Sequence, residues 1–152
     1  MQIAVAGGAL SALPRAAHAR DYASAAEVLD TIDGLALDVE AALLAIVRVV
    51  PAAQPFVASV GADHARQRRA RDAIRARLHL PPAPARAAAA PASTALDALR
   101  ATQQDLVHAH AEGMPAFHDP AAVNVLAGHM VDLVRHLTVI DLWIELEGER
   151  AG

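Results

Sequence analysis

The chain has 152 residues, enough for one core, and 55% of them are hydrophobic while only 3% are aromatic, an Ala-, Leu- and Val-rich balance that favours helix over strand. The net charge of -4, with basic residues dispersed except for Arg66, Arg68, Arg69 and Arg71, lacks the electrostatic footprint of a nucleic-acid-binding protein. The absence of cysteine excludes disulfides, thiolate catalysis and cysteine-held zinc or iron–sulfur centres, so any metal must sit on His, Asp, Glu, Gln or backbone oxygen.

At the N-terminus, Ile3 to Leu13 form an apolar Gly- and Ala-rich run too short to span a bilayer, followed by Pro14 and Ala17-His18-Ala19. That order predicts a signal-peptide remnant over 1–19 whose charged segment is missing, and a mature chain over 20–152 that works in a periplasmic or extracellular space. An apolar arm packed on the folded part is the competing reading. No transmembrane segment is expected in the mature chain.

From Tyr22 to Val50 the residues Val28, Ile32, Leu35, Val39, Leu43, Ile46 and Val50 recur at spacings of three and four, which predicts one long amphipathic helix. Pro51 and Pro55 interrupt it, and a second helix runs to about Leu80 with Phe56, Val60, Ile74 and Leu78 on one stripe. The Pro- and Ala-rich stretch 81–91 reads as an extended connection. Thr94 with Asp97 starts a third helix carrying Leu96, Leu99, Leu106 and Met114, ending near Gly113 and Pro115. Asp119 and Pro120 form an N-cap and first-turn pair for a fourth helix with Val123, Leu126, Met130, Leu133, Leu137, Ile140 and Ile144 on its stripe.

The connection decides the topology. At roughly 3.3 Å per extended residue a dozen residues cover some 40 Å, about the 38 Å length of a 25-residue helix. Two tight hairpins joined by one long crossover are therefore expected: an all-α, antiparallel four-helix bundle with the crossover between helices two and three.

Polar residues break the buried stripes at similar depths. Helix two places His64, Gln67 and Arg71 between Val60 and Ile74, and helix three places Gln103 and His110 between Leu99 and Met114. His129, Asp132 and His136 share a flank of helix four, and Asp38 and Glu40 flank the stripe of helix one. With the first turn near Pro51 to Ala53, Glu40 falls level with His64; with the second near Phe117, Gln103 falls level with Val131 to Leu133. Arg71 is expected to snorkel from the seam, and Trp143 to plug the core.

The stretches LDVEAALLAIV, GADHARQRRARDAIRARL, LRATQQDLVHAHAEGMP and DPAAVNVLAGHMVDLVRHLTVI resemble, in pattern and order, the ferritin-like superfamily, and within it the small domains exported behind twin-arginine leaders. The resemblance implies inward Glu-x-x-His pairs and carboxylates holding two iron or manganese ions. Here the pattern departs: His64-Ala-Arg-Gln67, Leu133-Val-Arg-His136 and Gln103 or Gln104 stand where Glu is expected, which disfavours a di-iron centre. The leading expectation is an exported ferritin-like module without a cofactor, acting by binding or as a structural unit with a protein partner or a second copy. The alternative is a protein storing or oxidising iron, manganese, zinc or copper on a reduced site of His64, His136 and Glu40 or Asp38, with Asp132 orienting an imidazole. A third option is a small-molecule or haem pocket between the hairpins, with His129 or His136 as axial ligand.

Overall fold

The computed structural model describes residues 22–88 and 96–151, apart from the side chains of Val49 and 147–151. The expected leader over 1–19 and the expected cap at Thr94 lie outside the described residues. Four helices follow one another, α1 (Ala25–Val49), α2 (Gln54–Arg77), α3 (Leu96–Gly113) and α4 (Pro120–Ala151), and no strand occurs among the described residues.

Local chemistry sets the helix ends. Ser24 caps α1 by accepting from the Glu27 N–H at 3.2 Å, while the Glu27 carboxylate accepts from the Ala23 N–H at 2.9 Å, a capping pair displaced by one residue. Pro51, with no N–H to give, stops α1 and opens a 3-10 turn over Pro51–Ala53. Pro55 does not interrupt the chain as expected: it lies in the first turn of α2, where its missing donor would be unpaired in any case. Asp119 accepts from the Ala121 N–H at 3.0 Å and starts α4 as anticipated.

The far end of α2 closes with His79 at φ 55°, the Leu80 N–H reaching back to the Arg75 carbonyl at 2.9 Å. This is the left-handed helix stop that glycine usually fills, and Pro81 and Pro82 follow it. The Pro81 carbonyl accepts from Arg75 beside Asp30, and Arg86 reaches Asp38 at 3.2 Å. Residues 81 to 86 thus climb α1 by about 12 Å of helix, within the roughly 15 Å that five extended residues cover.

Every neighbouring pair runs antiparallel. Glu40 meets His64 and Asp33 meets Arg71 across α1 and α2; Asp63 meets His136 and Arg66 meets Asp132 across α2 and α4; Gln103 meets Leu133 across α3 and α4. Helix α1 packs chiefly on α3 and α2, and α4 chiefly on α3 and α2. The core between them holds Val28, Leu29, Ile32, Val39, Leu43, Ile46, Leu99, Leu106, Leu126, Leu133 and Ile140. Gly113 of α3 lies against Val28 of α1, leaving no room for a β-carbon. Helix α2 sits further out, because its inward face offers only Val60 and Ile74 as large aliphatics beside five long or charged side chains: Asp63, His64, Gln67, Arg71 and Arg75.

Candidate functional site

The polar layer lies where that inward face of α2 meets α1 and α4. His64 is 1% exposed, and its Nδ1 stands 3.3 Å from Glu40 Oε1 on α1. The angles are poor for a hydrogen bond, so the contact is best described as electrostatic. It is also the main reason the Glu40 carboxyl is held below its ordinary range, against the opposing effect of burial and with help from Arg68 and Arg71. Across the core, His136 Nε2 lies 3.0 Å from Asp63 Oδ2. Burial pushes Asp63 up, but hydrogen bonds from His136 and Arg66 outweigh it and the carboxyl is lowered. Burial in turn lowers His136, against the bond to Asp63.

Each histidine therefore has one nitrogen against a carboxylate from another helix and one that is enclosed without such a partner. His64 Nε2 and His136 Nδ1 are both enclosed with no hydrogen-bond partner, and the ring centroids stand 6.1 Å apart. An unpaired buried polar atom costs on the order of 1 to 3 kcal/mol, so these two, with His64 Nδ1 also lacking a hydrogen bond, are a feature with consequences. Phe56 meets His136 edge-on at 6.1 Å and Trp143 at 4.9 Å, covering that end of the layer with aromatic surface.

A second cluster sits two to three turns further along. Arg71 is 1% exposed, its Nε bonded to Asp33 Oδ1 at 2.7 Å. Arg75 joins Asp33 at 3.0 Å and Asp30 at 2.8 Å, so two guanidiniums face two carboxylates. Arg71 does not snorkel; the antiparallel register delivers Asp33 to its head group. His110 bonds the Leu106 carbonyl through Nδ1 at 2.9 Å, leaving Nε2 unpartnered toward the core, and His129 stands 6.0 Å away ring to ring. Burial drives His110 down to about 3 and His129 to about 4, with Arg71 pushing both the same way. The His129 and His136 rings are both buried, because α2 stands over that flank of α4.

The expected ligands divide into those that meet and those that do not. His64 meets Glu40, and its ring stands 6.1 Å from that of His136. Asp38 faces Arg86 of the crossover, and Asp132 binds Arg66 at 2.8 Å and Arg135 at 3.3 Å, with Gln67 at 3.4 Å. The carboxylate that orients His136 is Asp63, one residue before His64, on the α2 face turned to α4. Among the described residues no group of three or more His, Asp or Glu converges to hold a metal ion.

Nor does the layer fit the two-metal centre that the resemblance implies. Gln67, Gln103 and Leu133 occupy the interior, Gln103 Nε2 is committed to the Leu133 carbonyl at 3.1 Å, and Glu40 and Asp63 lie against the outer nitrogens of the two imidazoles. Neutral groups cannot bridge two divalent ions. Sequence reasoning missed Asp63, Arg75, Asp30 and Asp33. The signal was available, since Asp30, Asp33 and Glu40 are as far before the turn as Arg75, Arg71 and His64 are after it. No known protein family, curated protein or solved structure matches this chain.

Proposed function

We propose that the chain is an exported helical protein of ferritin-like topology that acts by binding and not by di-iron chemistry. The topology is supported by antiparallel neighbours throughout and by a connection that climbs α1 between the two hairpins. Export is supported by the apolar run Ile3 to Leu13 ahead of Ala17-His18-Ala19. The observation that carries the functional reading is Arg71, a permanent cation enclosed in the core on Asp33, at the level where His110 and His129 face inward. A core that already holds a fixed cation, and that spends its carboxylates on arginines and on the outer sides of histidines, is poorly suited to a pair of divalent ions.

Anaerobic loading with ferrous iron or manganese, followed by elemental analysis and oxygen exposure, checks this. The expected result is no stoichiometric pair of ions and no accelerated oxidation of iron. Two ions per chain, with oxygen consumption above that of the free metal, would overturn the reading.

A second reading is favoured by the outer face of α4, where Val131 is 72%, Leu142 52% and Leu146 49% exposed. Over Pro120–Leu146 this helix is long and apolar enough to cross a membrane by length and composition. We take it instead as a packed helix, since Asp132, Arg135 and His136 bind α2 from within that stretch. Its outward residues then suit a protein partner or a second copy, and sedimentation equilibrium of the purified chain distinguishes a monomer from an assembly.

A further inference from the structure

Resting on the reading of the chain as a binder without a two-metal centre, we propose that His64 and His136 together hold one monovalent soft metal ion, of the copper(I) class, between their inward nitrogens. Three observations lead there. Glu40 faces His64 Nδ1 and Asp63 bonds His136 Nε2, which favours the proton on those outer nitrogens and leaves a lone pair on His64 Nε2 and on His136 Nδ1. A carboxylate hydrogen-bonded behind an imidazole, as Asp63 is behind His136, fixes tautomer and ring orientation in metal-bound histidines, while Glu40 acts on His64 through its charge. Both inward nitrogens are enclosed and bond neither each other nor any other group.

The spacing suits an ion shared between the rings. Two imidazoles each about 2.0 Å from one ion place their centroids roughly 5 to 6.5 Å apart, the wider value for a near-linear arrangement. The observed separation is 6.1 Å.

Donor count and charge select the ion. Zinc takes three or four protein ligands, and manganese and magnesium take oxygen, whereas among the described residues no third His, Asp or Glu joins the pair. Monovalent ions with a filled d shell accept two neutral nitrogen donors in a near-linear geometry, and imidazole suits copper. A single positive charge is also less costly than a double one beside a core that holds Arg71 and whose flanking carboxylates are already countered by Arg66, Arg68 and Arg135. Phe56 and Trp143 cover the layer at one end and keep water from the ion.

The test is anaerobic titration of the full chain with copper(I) against a chromophoric copper(I) chelator, with silver(I) as the redox-inert analogue and zinc(II) as the contrast. One equivalent of copper(I) is expected, with an X-ray absorption edge of two-coordinate nitrogen ligation. His64→Gln and His136→Gln should each weaken binding by at least roughly 100-fold, Glu40→Gln and Asp63→Asn by about tenfold, and His110→Gln should leave it unchanged. If a His136 variant fails to fold, silver(I) added to the unsubstituted protein should shift the imidazole resonances of His64 and His136 and leave those of His110 and His129 in place.

Failure to compete with the chelator, binding that survives His64→Gln on the chain's methionines, or tighter binding of zinc than of copper(I) would each overturn the proposal. Two iron ions per chain would overturn the reading beneath it as well. Neither iron nor copper(I) bound would remove the copper proposal and leave that reading standing.

Discussion

Arg71 Nε lies 2.7 Å from Asp33 Oδ1, with the guanidinium 1% exposed between α1 and α2. A pair of this kind is held together by mutual need: enclosing either charge alone is costly, while replacing both by apolar groups is often neutral. Asp33→Asn is therefore expected to cost about 3 kcal/mol in urea unfolding, because Arg71 loses its anion and Arg75 keeps only Asp30. Asp33→Leu combined with Arg71→Met should recover most of that loss. Additive losses in the double variant would mean the two side chains act independently.

The two inner histidines predict an acid-sensitive fold. Burial holds His110 at about 3 and His129 at about 4, so both stay neutral in the folded chain while the unfolded chain takes up protons below the ordinary value of 6.5. The unfolded state then binds more protons, and stability falls as pH drops from about 6.5 toward 4, by a linkage approaching two protons per molecule. Lowered Glu40 and Asp63 contribute stability above their unfolded values and lose it as pH falls through their lower folded values, which extends the decline below pH 4. Chemical unfolding at half-unit pH steps measures the slope, and His129→Leu should remove about one proton from it. A stability flat between pH 7 and 4.5 would contradict the enclosed neutral pair.

His79 holds φ 55° at the end of α2, a conformation that costs a residue with a β-carbon about 1 kcal/mol or more relative to glycine. His79→Gly should raise the melting temperature by a few degrees, less the small gain of freedom in the unfolded chain. A fall on thermal denaturation would show that the exposed His79 ring makes a compensating contact.

Two glycines test opposite effects of one methyl group. At Gly113 a β-carbon collides with Val28, so Gly113→Ala should destabilise by about 1 to 3 kcal/mol, outweighing its gain in helix propensity. At Gly128 a β-carbon meets nothing within 4 Å, and Gly128→Ala should stabilise by about 0.5 to 1 kcal/mol. Calorimetry of the two single variants gives the signs directly; equal signs would mean that α1 and α3 can separate cheaply at Val28.

Much of the helical frame could be read from spacing. Stripes such as Val28-Ile32-Val39-Leu43-Ile46 repeat at the helical period, and Pro51, Pro81 and Asp119-Pro120 punctuate them, because backbone geometry and the cost of exposing apolar surface act locally. Hairpin arithmetic carried further: counting outward from the turns placed Glu40 level with His64 and Gln103 level with Val131 to Leu133, and Glu40 meets His64 while Gln103 bonds the Leu133 carbonyl. Pro55 was misjudged because the same ring that breaks a helix interior is tolerated in its first turn.

Composition, periodicity and turn chemistry thus determine by themselves that this protein is helical, that four helices make up the described residues, and that polar side chains interrupt its core. Only the tertiary structure decided which of those side chains meet. Asp63 and Asp132 both point from one helix toward another and share Arg66 and Arg135, yet only Asp63 also takes His136, and Asp33 rather than water receives Arg71. Helical spacing fixes the face on which a residue lies but leaves open the rotation and separation of the neighbouring helix, and a shift of about one residue along a helix moves a side chain through some 100°. That relative placement is set by the packing of all four helices at once, and it determines whether His64 and His136 turn a free nitrogen toward one another or toward a partner.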